Sequence, residues 1–236
     1  VVLLALSGRS RATTLLDVCA VFAPLIAIVP TGLADRRAVG HLTCPVMVDC
    51  IPSADIGSAK AGIAVYAVVV VAVVCTMAVI RHRTRTPNPS ARLVSVIALV
   101  TAAVMTALAF WPALNENFPF NFWPVASIHV AVTLVFFGVF AAVPILSAGG
   151  PLEPGETPPT PRQRSIYRWI AGLLIADLLL LIVALLFRQT FGETPLVLFG
   201  EAVALILFAS FWWVQTFQKW NDANPPSILA RSTSPV

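Results

Sequence analysis

The sequence predicts an all-α fold, a polytopic membrane protein built as a six-helix transmembrane bundle. Three observations carry that prediction: an excess of apolar residues, a shortage of charge, and six long apolar stretches separated by short polar ones. Apolar residues make up 58 % of the 236-residue chain and charged residues only 11 %, against roughly 45–50 % and about 25 % in soluble domains. So few charges cannot cover the surface of a water-soluble protein of this size, and lipid is the expected solvent for most of the chain.

Crossing about 30 Å of hydrocarbon takes roughly 20 apolar residues in a helix. Six stretches meet this, at 13–33, 61–80, 93–111, 124–148, 166–187 and 196–217. The second is the plainest, being free of charge and mostly Val and Ala. Val is a modest helix former in water, but in lipid a single segment can satisfy its own backbone only as a helix. The stretches do not alternate in the way a β-barrel requires. They form one domain over residues 1–220, and 221–236, rich in Asn, Pro and Ser, reads as a flexible tail. The chain opens at Val1 without Met, and the apolar run to Leu6 is too short for a secretory signal.

Orientation follows from Lys and Arg on alternate connections. One side collects Arg9, Arg11, Arg81, Arg83, Arg85, Arg92, Arg162, Arg164, Arg168, Lys219 and Arg231; the other has Arg36, Arg37, Lys60 and Arg188. The first side, with both termini, is expected to be cytoplasmic. Trp111 and Trp123 would mark the outer interface, Trp169 and Trp220 the inner one. Because the basic residues sit in short clusters between apolar runs, the net charge of +4 points to topology and not to nucleic acid. The cluster of Arg81, Arg83, Arg85 and Arg92 either fixes topology or attracts anionic headgroups. Five prolines between Gly149 and Arg168 predict an extended, non-helical connection.

Cys44 and Cys50 frame a short segment of the first outer loop. On the expected oxidising side a disulfide between them is the favoured reading. Their spacing is not usual for zinc and only His41 is near, so no metal site is expected. Cys19 and Cys75 fall within spans and read as small buried residues.

Ionisable groups at membrane depth are costly and therefore candidate sites. His129 in the fourth stretch, Asp177 in the fifth and Glu201 in the sixth lie at depths that allow them to meet in the outer half of the bundle. Such a trio can hold helices together through hydrogen bonds, bind a lipid headgroup or other ligand, or perform acid–base chemistry. Ser127, Thr133 and Ser210 are available as partners. No nucleophile-elbow motif, metalloprotease motif or phosphate-binding glycine loop is present, which argues against familiar enzyme classes and for no cofactor. Transport has little support, because Pro24, Pro30 and Pro144 are not mirrored in a second half.

Three patches resemble the six-span DRAM-like family, which includes autophagy modulators and relatives acting in GPI-anchor lipid remodelling. They are Cys44-Pro45-Val46 through Ile51-Pro52-Ser53-Ala54-Asp55-Ile56-Gly57, Asn121-Phe122 with Ser127-Ile128-His129, and Glu201 through Phe211 with Thr216-Phe217-Gln218. The chain departs from the family pattern at Ser58, Ala59 and Ala202. The resemblance implies a six-span protein concerned with lipid organisation or remodelling, without an established catalytic apparatus. The expected function is therefore non-catalytic binding or organising of membrane lipid. The alternatives are an accessory or assembly subunit of a larger membrane complex, or an intramembrane lipid-modifying enzyme.

Overall fold

The computed structural model describes residues 10–30, 53–84, 89–114, 118, 128–150, 157–187 and 196–220. These form six helices: α1 (Arg11–Ile28), α2 (Ser53–Thr84), α3 (Pro89–Phe110), α4 (Ile128–Gly149), α5 (Pro161–Leu186) and α6 (Leu196–Lys219). All six are long and apolar enough to cross a membrane, and the described residues contain no strand. Cys44, Cys50, Arg85, Trp123, Ser127 and the tail lie outside the described residues, and with them the disulfide reading.

The ends of α1, α2 and α5 differ from the sequence expectation. α1 stops at Ile28 and not at Leu33, because Pro30 cannot continue a helix and holds Val29 in an extended conformation. α4 is described from Ile128, with His129 next to it; the predicted stretch before it, 124–127, lies outside the described residues. α2 is longer than its apolar run; its 32 residues span about 48 Å. It therefore carries Asp55 at one end and Arg81 and Arg83 at the other past the hydrocarbon. The density of prolines before α5 predicts no helix up to Arg168, but the helix already runs from Pro161. α5 starts at Pro161, where the missing N–H costs nothing. Thr160 caps it: its Oγ1 accepts from Gln163 N at 3.3 Å, while Gln163 Oε1 accepts from Thr160 N at 2.8 Å.

The bundle has two halves. α1, α2 and α3 share one set of buried side chains, including Leu25, Ile63, Tyr66, Ala102 and Met105. α4, α5 and α6 share another, centred on Phe137, Phe140, Tyr167, Leu174 and Phe211. α1 and α4 pack together and join the halves. α4 is the most enclosed helix, with 56 % of its span buried against 17–28 % for the others. Lipid-facing side chains such as Val68, Val100, Leu180 and Ile206 are exposed on the outer helices, as expected where the surrounding solvent is apolar.

Packing differs between interfaces. α4 and α6 meet through rings: Phe140 contacts Phe208 at 4.7 Å and Phe211 at 5.3 Å between centroids, the latter edge to face. Elsewhere small residues let backbones approach, as in membrane bundles generally. A Cβ on Gly62 of α2 would lie 2.7 Å from Ile28 of α1. Polar tethers cross these seams. Tyr66 of α2 donates to Val21 O of α1 at 3.0 Å. At the basic end, Tyr167 of α5 donates to Gln218 Oε1 of α6 at 2.7 Å, and Gln218 Nε2 donates to Thr157 O at 2.8 Å. One side chain thus ties the last turn of α6 to α5 and to the segment leading into it.

Candidate functional site

The end of α1 and the beginnings of α4 and α6 come together at one end of the bundle. Pro30 ends α1, so the carbonyls of its last turn lack intrahelical donors. His129, at the second position of α4, reaches the main chain just past that end, with Nδ1 2.7 Å from Val29 O. Its other nitrogen, Nε2, is 2.9 Å from Oε1 of Glu201 on α6. The His129 side chain is 10 % exposed and that of Glu201 22 %, so the pair is largely enclosed.

The proton arrangement follows from the partners. A carbonyl oxygen only accepts, so Nδ1 carries a hydrogen and donates to Val29. One further proton lies between Nε2 and Oε1. The pair is either imidazolium with carboxylate or neutral imidazole accepting from a carboxylic acid. In both forms its net charge is zero, which suits a membrane interior.

Asp177 does not join this pair. Its Oδ2 is buried and has no hydrogen-bond partner. The α5 side chain that reaches the level of Glu201 is Leu181, one turn from Asp177: its Cδ2 would lie 2.5 Å from a Cβ placed on Gly200. Of the three candidates, then, His129 and Glu201 meet and Asp177 stands apart. Ser210 bonds within its own helix to Ile206 O at 2.8 Å, and Thr133 Oγ1 has no partner. Cys19 is buried, its Sγ 3.6 Å from Phe136 O, whereas Cys75 is exposed on the lipid-facing side of α2 and not buried as its place in a span suggests.

Two features of the bundle carry little signal in the sequence. Asp17, in the second turn of α1, is a further half-buried carboxyl with a partner; its nearness to the helix start hides it among the terminal polar residues. Val29 gives no side-chain signal at all, because it acts through its backbone.

Chemically, a Glu–His pair resembles half of an acid–base relay. A relay needs a ring nitrogen aimed at the reacting group. Here Glu201 occupies one nitrogen and a main-chain carbonyl the other. Among the described residues no group of three His, Cys, Asp or Glu side chains is arranged to hold a metal ion. Among the described residues, grooves open between α1 and α2 beside Pro30 and Asp55 and between α4 and α5 beside Arg168. Neither is lined by His129, Asp177 or Glu201.

Gly200 keeps Glu201 in place by admitting Leu181. Gly200→Leu is expected to push α5 and α6 apart, lengthen the Glu201–His129 bond and cost about 2 kcal/mol, the scale of overpacking a tight site. Thermal unfolding in detergent measures it, and an unchanged midpoint would show that the contact is not a constraint.

Fold and site together define a multi-pass α-helical membrane protein whose two halves are joined by a closed polar clasp. Compared with protein-family models, curated proteins and solved structures, the chain finds no match in any of the three.

Proposed function

We propose that this is a non-catalytic multi-pass membrane protein that binds or organises lipid, in a role linked to lipid or GPI-anchor remodelling. The observation that carries the reading is the closure of His129. With both ring nitrogens engaged, the His129–Glu201 pair serves as a joint between the end of α1, α4 and α6. The surface left for ligands is apolar along the helices and basic at one end, where Arg11, Arg81, Arg83, Arg92, Arg162, Arg164, Arg168 and Lys219 gather against Lys60 at the other. That is the pattern of a surface that meets acyl chains and anionic headgroups. The same asymmetry supports a cytoplasmic placement for the basic end and for both termini, and the resemblance to the six-span DRAM-like family points the same way.

Purification from native membranes in mild detergent, followed by native mass spectrometry, tests this. A monomer retaining a restricted set of lipids is expected. Retention of no lipid, or turnover of the lipid supplied, would count decisively against it.

A second reading, an accessory subunit of a larger membrane complex, is favoured by one observation. Asp177 places a buried, unpaired carboxylate oxygen within a span, and a donor from a neighbouring subunit would satisfy it. A stoichiometric protein partner in the same preparation would select this reading.

A further inference from the structure

The groove between α4 and α5 lies far from the His129 clasp, at the basic end. Its volume is about 400 Å³, within the range of small-molecule sites, roughly 300–1,000 Å³. Ile145 and Ala148 of α4 and Ala171 and Ile175 of α5 form its apolar walls, Gly172 leaves its floor open, and Arg168 stands at its rim. Among the described residues no carboxylate lines it and Arg168 is in no ion pair.

Depth gives the groove its meaning. Arg168 is the last charged residue of α5 before an apolar run that is broken only by Asp177 and reaches Leu186. Those 18 residues, from Trp169 to Leu186, rise about 27 Å, close to the hydrocarbon thickness. Arg168 therefore sits where phospholipid phosphates lie, and the apolar walls continue from it into the acyl region. Trp169 beside it is 68 % exposed, as suits an interfacial side chain.

We propose that this groove holds one anionic glycerophospholipid, its phosphate on the Arg168 guanidinium and an acyl chain between Ile145 and Ile175. This rests on the lipid-binding reading above and gives it a place and a headgroup class. A guanidinium is matched to phosphate by its planar fork of donors, and the missing side chain at Gly172 leaves room for the chain. The competing role for Arg168 is a cation placed near the C-terminal carbonyls of α4.

The test uses the full-length protein in nanodiscs of phosphatidylglycerol or of phosphatidylcholine, with retained lipid counted by native mass spectrometry. Wild-type protein is expected to keep one phosphatidylglycerol that Arg168→Gln holds about fivefold less well, the effect of one basic residue at a membrane surface. A Cβ at Gly172 has nothing within 4 Å, so Gly172→Phe can place its ring in the groove against Ile145 and Ile175, and it should lose the same lipid with Arg168 intact. Equal retention of phosphatidylcholine overturns the proposal, and so does displacement by inorganic phosphate, which would mark a free-phosphate site. A loss of thermal stability in lipid-free detergent that accounts for the whole Arg168→Gln effect would assign Arg168 to the α4 terminus. If lipid is retained but ignores both variants, the groove is wrong and the general reading stands; if no lipid of any class is retained, the general reading fails with it.

Discussion

His129→Ala is expected to cost about 3 kcal/mol, the low end of what removing one partner of a buried charged pair costs. The substitution strands two groups at once, the Glu201 carboxyl and the Val29 carbonyl, each of which has His129 within 2.9 Å. A single interhelical hydrogen bond in a membrane averages only about 0.6 kcal/mol and reaches about 1.7, so the stranded groups supply most of the loss. Two further variants separate the contributions. Glu201→Gln keeps an amide donor for a neutral imidazole and should cost less than about 1 kcal/mol. Exchanging both residues for Leu removes the stranded groups together and should recover much of the His129→Ala loss. Unfolding in detergent by heat or by sodium dodecyl sulfate reads all three. A His129→Ala protein as stable as wild type would mean that the clasp does not join the helices.

Asp177→Leu is expected to act in the opposite direction and raise stability by about 2–3 kcal/mol. An aspartate at the centre of a spanning helix costs about 2.5–3.5 kcal/mol on insertion scales, and the fold returns little of it, since Oδ2 has no partner. The same unfolding assay decides the sign. The functional consequence depends on assembly. If a neighbouring subunit supplies a donor, Asp177→Leu will be more stable alone yet fail to co-purify with that subunit. If the protein works as a monomer, the substitution will leave lipid retention unchanged. A destabilised Asp177→Leu monomer would show that the carboxyl is satisfied within the chain.

Depth in the membrane is legible in a sequence, whereas rotation about a helix axis is not. His129, Asp177 and Glu201 were all identifiable because an ionisable side chain in an apolar run is conspicuous. Depth along each helix could be counted at 1.5 Å per residue, and it placed His129 and Glu201 correctly at one level. Rotation about each helix could not be counted. On lipid-exposed spans both faces are apolar, so the period that reveals the buried face of a soluble helix is nearly absent. For that reason nothing along the chain distinguished Glu201, which faces His129, from Asp177, which does not.

Helix ends show the same division. Pro30 was visible as a break, yet the apolar run continued past it and hid the true stop at Ile28. The prolines before α5 looked prohibitive by number, but Pro161 occupies the one helical position that tolerates it. In both cases composition overrode position, and position is what the backbone obeys. The Tyr167–Gln218–Thr157 tether had no sequence signal beyond two polar residues near span ends, where polar residues are ordinary.

The sequence by itself determined the solvent, the number of spans and the end of the bundle that gathers positive charge. Each of these depends on sums along the chain, apolar length and charge count, which need no knowledge of neighbours. Only the tertiary structure decided that α4 lies at the centre, that Val29, His129 and Glu201 close on one another while Asp177 is left alone, and that Arg168 overlooks an open groove. Those outcomes depend on which face each helix turns to the next. In lipid, where every face of a helix is equally at ease, that choice is made by close packing at small residues, by ring contacts and by a handful of hydrogen bonds.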